Sequence, residues 1–229
     1  MNRNTRVMGG MAMLVAAAAA SVAQAQTNFD FSANNGGFVD VNGRWTHGSG
    51  AWTLNGQAFV GTTSLTSPPI TITGSGTVTG TLTHRHGFEN TFDGGQIQFS
   101  TDNGNTWNTV PQDLITGATY TQTIVSGFSS PIGGQRAFSG QSAGFANSEF
   151  VTSTFTLGIG TSPFSTGVAR PFANGEVVRI RLFSAWDSSV TGSSPNWQVT
   201  GMTVANVIPA PGAAAMLGLG GLMVGRRRR

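Results

Sequence analysis

The stretch Glu176-Val-Val-Arg-Ile-Arg-Leu-Phe-Ser-Ala-Trp186 decides the fold class. Read with a period of two, Val178, Ile180, Leu182, Ser184 and Trp186 share one face, and Val177, Arg179, Arg181 and Phe183 share the other. The first face suits a core and the second is at least partly wet. Working outward, similar short alternating runs of Thr, Ser, Gly, Val, Ile and Phe recur between clusters of Gly, Asn, Asp and Pro. The clearest predicted strands are Ile70 to Thr73, Thr77 to His84, Gln96 to Ser100, Thr119 to Val125, Glu149 to Leu157, Glu176 to Trp186 and Trp197 to Val204. No run between residues 26 and 206 has its apolar residues at helical spacing.

These strands and their long Gly/Ser loops predict an all-β domain over residues 26–206, a two-sheet β-sandwich of jelly-roll type. No linker or repeat divides it. The chain has no cysteine, which excludes disulfides, thiolate metal sites and a cysteine nucleophile, so packing must hold the domain. All 12 basic residues are Arg. Six of them, Arg3, Arg6, Arg226, Arg227, Arg228 and Arg229, lie in the end segments, so the middle carries 6 − 9 = −3 against the nine acids. A nucleic-acid partner therefore lacks its electrostatic footprint.

Both ends read as addresses. Arg3 and Arg6 precede the apolar run Val7 to Ala20, and the small residues Ala23 and Ala25 predict cleavage of residues 1–25 by signal peptidase. At the other end, residues 207–229 join Pro209-Ala-Pro211, an uncharged Gly/Ala-rich run and a terminal arginine block. As a helix, Pro211 to Gly225 would span about 23 Å against a hydrocarbon core of about 30 Å. Four arginines at its end would hold the C-terminus inside and place the domain outside. This order resembles the bacterial PEP-CTERM sorting signal, with Pro209-Ala210-Pro211 where that motif has Pro-Glu-Pro. The resemblance implies a single transmembrane sorting helix, an exosortase-like processing enzyme, and an exported protein at the cell envelope, cell surface or extracellular matrix.

The middle segment Thr81-Leu-Thr-His-Arg-His-Gly-Phe-Glu-Asn-Thr-Phe-Asp-Gly-Gly-Gln-Ile-Gln-Phe-Ser-Thr-Asp-Asn-Gly-Asn-Thr-Trp107 resembles MAM-like jelly-roll modules of secreted and surface proteins. Within it, Ser100-Thr-Asp-Asn-Gly-Asn-Thr-Trp107 is similar to the Asp-box turn of sialidases. Here Asp102 is expected to accept backbone N–H bonds across a hairpin, Gly104 to take positive φ, and Trp107 to fold back on the turn. One copy of the box implies structure, not catalysis.

Three sets of residues are candidates for chemistry. Glu89 and Asp93 offer hard oxygens on a loop, the donor type for a structural calcium. His84 and His86 point to one face of a strand, as a His-x-His metal site requires, although His47 is the only other histidine and lies upstream. Trp45, Trp52 and Trp186 are candidates for a sugar-stacking platform, with burial in the core as the alternative. No set of catalytic residues is complete, so a non-enzymatic protein is expected. The leading expectation is a structural or adhesive envelope component. A carbohydrate-binding module for exopolysaccharide is the alternative, followed by a secreted hydrolase using Glu89, Asp93 and the histidines.

Overall fold

The computed structural model describes residues 26–158 and 171–205. The predicted signal peptide and sorting tail, with Ala23, Ala25, Pro209, Pro211 and Arg226 to Arg229, lie outside the described residues. Among the described residues no helix is long and apolar enough to cross a membrane.

Among the described residues fifteen strands follow one another. The first six are β1 (Gln26–Asp30), β2 (Val39–Asp40), β3 (Trp45–Gly48), β4 (Ala51–Leu54), β5 (Gly61–Thr66) and β6 (Ile70–Thr71). The middle strands are β7 (Val78–His86), β8 (Gly94–Ser100), β9 (Asn108–Thr109), β10 (Ile115–Gly117), β11 (Gln122–Thr123) and β12 (Arg136–Ala137). The last are β13 (Val151–Leu157), β14 (Val177–Trp186) and β15 (Trp197–Ala205). They form two main antiparallel sheets. One has the order β10-β13-β7-β15-β4-β3, with β1 also on β15; the other has the order β2-β5-β14-β8-β9, with β6 also on β14. A small hairpin, β11-β12, is separate from both.

The period-two reading of β14 holds: Val178, Ile180, Leu182, Ser184 and Trp186 are buried, whereas Arg179, Arg181 and Phe183 are half-buried on the outer side. Across the sandwich, β7 and β15 send inward Val78, Leu82, Trp197, Val199, Met202 and Val204, and these join β14 and β8 in one core. The sheets approach closely where Gly95 faces Trp197. A Cβ on Gly95 would lie 2.4 Å from the indole, so only glycine fits.

Some expected boundaries move. Thr119 to Val125 contributes only the two-residue β11, because Tyr120 turns inward and its hydroxyl takes hydrogen bonds with both Ile97 N (3.1 Å) and Ile97 O (3.3 Å). The strands before residue 67 were unforeseen. Among them, β3 and β4 form a hairpin whose two turn residues, Ser49 and Gly50, have φ of 52° and 77°, the left-handed pair of a type I′ turn.

Candidate functional site

The three tryptophans expected to form a platform do not. Trp45, Trp52 and Trp186 are only 4%, 7% and 0% exposed. Trp186 donates to Asn196 Oδ1 at 3.1 Å inside the core, Trp52 donates to Asn35 O at 3.1 Å, and Trp45 packs 5.9 Å from the Trp197 ring. Their faces are already covered by protein, so the stacking assignment is corrected to core packing.

The histidine pair is also internal. His84 and His86 share a face of β7, as the strand period requires, but that face is the core. Their rings stack at 5.6 Å, and His84 is held between Ser153 Oγ (2.9 Å) and the Trp197 indole N–H (3.1 Å). With its Nδ1 accepting from Trp197, His84 is the Nε2–H tautomer, which donates to Ser153. Both ring nitrogens of His86 lack a partner. Burial holds the His84 pKa well below the ordinary histidine range and lowers that of His86 to about 4, so both rings are neutral.

Glu89 and Asp93 do converge, and a third acid meets them. Asp93 immediately precedes β8 and Asp187 immediately follows β14; the antiparallel pairing Ala185↔Gly94 therefore sets them side by side. Asp187 N donates to Asp93 Oδ1 at 2.8 Å, and Asp93 N donates to Glu89 O at 3.1 Å. One carboxylate oxygen from each of Glu89, Asp93 and Asp187 lies within 4.8 Å of the others. Asp93 Oδ2 and Glu89 Oε2 are buried without hydrogen-bond partners. Burial raises the Asp93 pKa to about 7, with the backbone N–H of Asp187 opposing and the negative charges of Asp187 and Glu89 adding to the rise. Burial, then Asp187, raises that of Glu89. Three hard oxygens, two of them orphaned, fit a calcium ion that would relieve this crowding. Beside the cluster is a shallow depression of about 620 Å³ lined by Phe88, Glu89, Asn90, Gln122, Gln141 and Ser193.

A larger groove, of about 900 Å³, opens beside the six-stranded sheet. Its walls come from β9, the segment after it and the β11-β12 hairpin, and include Gln96, Trp107, Thr109, Gln112, Gln135 and Arg136. Sequence reading missed this site. The available signal was the alternation Gln96-Ile97-Gln98 beside the Asp box, which places amides on the outer face.

The Asp box fixes Trp107. Asp102 Oδ1 accepts from Thr106 N at 2.9 Å and Oδ2 from Thr106 Oγ1 at 2.7 Å, Gly104 takes φ +96°, and the Trp107 indole N–H donates to Gly104 O at 3.0 Å. These bonds from Thr106, with one from the Ser100 hydroxyl, lower the Asp102 pKa to about 2. The turn thus presents a half-buried indole at the groove wall, with the Arg181 guanidinium 4.3 Å from its ring centre.

The groove amides are locked. Gln96 Nε2 donates to Gln135 Oε1 (3.1 Å) and Arg136 O (2.9 Å), while Gln96 Oε1 accepts from Gln98 (3.1 Å) and Thr109 (3.2 Å). Gln112 Oε1 accepts from Arg136 Nε. With their oxygens engaged as acceptors, Gln112 and Gln135 have their amide nitrogens as the groups to offer a ligand.

No family model matches the chain, and no curated protein matches it. Solved structures with a similar course include the C-terminal CBM6 of LamC, a laminarinase from Zobellia galactanivorans, with 10% identity over 80% of this chain and 100% of that one, at a TM-score of 0.38. The carbohydrate recognition domain of Emp46p is similar at 13% identity over 78% and 93% of the two chains, with a TM-score of 0.42. The carbohydrate-binding module CBM6cm-2 of Cellvibrio mixtus lichenase 5A, in complex with cellotriose, is similar at 10% identity over 80% and 98%, with a TM-score of 0.32. Likeness at this level assigns no family.

Proposed function

We propose that this protein is a carbohydrate-binding module on a jelly-roll-type β-sandwich, and that the chain seats in the Trp107 groove. The observation that carries this reading is the pairing, in one open groove, of an indole fixed by its turn with amides whose orientation is set by internal hydrogen bonds. A sugar ring presents C–H groups to an indole and hydroxyls to N–H donors. Preorganised donors lose little rotamer freedom on binding, which favours a hydroxyl-rich ligand. Read as export and sorting addresses, the end segments support delivery of this module to the cell envelope, where exopolysaccharide would be an available ligand.

Calcium belongs to the same proposal as a structural ion. Glu89, Asp93 and Asp187 would hold it where the ends of β8 and β14 meet, with its remaining oxygens supplied by water or backbone. Its contribution is to fix that end of the sheet.

The test is titration of the protein against a panel of bacterial and algal polysaccharides, comparing wild type with Trp107→Ala. Saturable binding weakened tenfold or more by the substitution, with the melting temperature retained, supports the reading. Binding that survives Trp107→Ala removes the groove as the site, and no binding across the panel removes the carbohydrate reading.

A further inference from the structure

The outer side of β14 alternates Arg179, Arg181 and Phe183, and β12 brings Arg136 to the groove beside it. Every acceptor these guanidinium groups meet is neutral. Arg181 Nε donates to Gln98 Oε1 at 2.7 Å and its cation lies over the Trp107 and Phe183 rings. Arg136 donates to Gln112 Oε1 and, through Nη2, to Tyr120 O at 2.8 Å. Arg179 donates to Asn103 Oδ1 at 2.8 Å and Ser67 O at 3.2 Å. All nine acids fall among the described residues, yet none of them pairs with Arg136 or Arg181.

This arrangement runs against ordinary protein electrostatics. A guanidinium drawn partly out of water is normally compensated by a carboxylate, and the chain as a whole has acids to spare once its end segments are set aside. Burial alone lowers the Arg181 pKa to about 10, with no opposing carboxylate. The groove's one acid, Asp113, is exposed. The bonds that hold Arg181 use its Nε, and those that hold Arg136 use Nε and Nη2. Such planar, fixed donors match the paired oxygens of a carboxylate or a sulfate.

We infer that the groove's ligand is an anionic polysaccharide, its uronate carboxylates or sulfate esters received by Arg136 in the groove wall and by Arg181 on the outer side of β14 beside Trp107, while a sugar ring packs against Trp107. The inference rests on the carbohydrate reading of the same groove and adds the charge class of the ligand. The amides of Gln112 and Gln135 in the groove wall would read the hydroxyls of the adjoining sugar.

The experiment is calorimetric titration of the protein with two matched pairs, oligogalacturonate against its methyl ester and a sulfated galactan against its desulfated form. A neutral β-glucan is included, and each titration is run at low and high salt. The acidic member of at least one pair is expected to bind about tenfold tighter than its neutral partner at low salt, the gap narrowing at high salt. The pair that shows the gap identifies carboxylate or sulfate. Arg136→Gln and Arg181→Gln should each remove most of it, and Arg181→Lys should keep its salt-dependent part. Equal binding within both pairs, or a gap untouched by either Gln variant that still melts normally, overturns the inference. Binding of the β-glucan alone overturns the inference and keeps the carbohydrate reading, whereas no binding by any of the five overturns both.

Discussion

Replacing Asp93 by Asn should stabilise the metal-free protein at alkaline pH while abolishing its response to calcium. Asn keeps the Oδ1 acceptor for the Asp187 N–H and removes the charge whose other oxygen has no partner. Asp93 is raised in the fold from 3.8 to about 7, so the folded state holds its proton more tightly than the unfolded chain. The wild-type penalty therefore grows as pH rises from about 4 through about 7 and is complete above that. At about 1.4 kcal/mol per unit the ceiling is about 4 kcal/mol; screening by water in the adjoining depression brings the expected gain nearer 2 kcal/mol. For a domain of this size that is a rise in melting temperature of about 4–8 °C, measured in chelator at pH well above 7. The gain should shrink as pH falls through the folded-state pKa toward 4. With calcium at about a hundred times its Kd, the wild type should gain about 2.7 kcal/mol and the variant little. A variant less stable than wild type in alkaline chelator, or a gain independent of pH, would refute the electrostatic account of this cluster. Equal calcium stabilisation of both proteins would remove Asp93 as a ligand.

Three further outcomes follow from the core. His86→Phe should flatten the acid limb of the stability curve: the folded-state pKa of His86 is lowered from 6.5 to about 4, so the wild-type contribution is full above pH 6.5 and lost as pH falls toward 4, by about 3 kcal/mol. Urea unfolding at pH 5 and pH 7.5 checks this, and parallel curves for the two proteins would exclude His86 as the titrating group. Tyr120→Phe removes a hydroxyl that serves both Ile97 N and Ile97 O, and should cost about 1–3 kcal/mol in equilibrium unfolding while the circular dichroism stays β-rich. Gly95→Ala forces a methyl into the Trp197 ring and should cost about 1–3 kcal/mol; an unchanged melting temperature would show that the sheets separate easily at that point.

The period-two face of β14 could be read directly because both sides of a half-buried strand leave their mark in alternation. The Asp box was equally legible, since Asp102, Gly104, Thr106 and Trp107 interact within one turn. The groove and the third acid were not, for a common reason. Asp187 reaches Asp93 across a sequence separation of 94 residues, and only the antiparallel register of β8 and β14 brings them together. Gln96 meets Gln135 and Arg136 only because the β11-β12 hairpin lies beside β8. Tryptophan type alone could not separate Trp107 at the groove from Trp45, Trp52 and Trp186 in the core, because the deciding quantity is which face of each strand meets the opposite sheet. The early hairpin offered Ser49-Gly50 as its turn signal, but its flanking strands are too short to show a period.

The pairing of β1 with β15 has a mechanical consequence. Gln26 lies opposite Ala205, so the first and last strands begin and end at the same pole of the sandwich. A load pulling those two ends apart would act across the strands and open the ladder one rung at a time, as in a zipper. A load between Ala205 and a ligand gripped at the groove would instead bypass the β1 seam and draw on β15, which is bound to β7 along most of its length. The domain would thus yield easily between its ends and resist when held by one end and by a ligand in the groove.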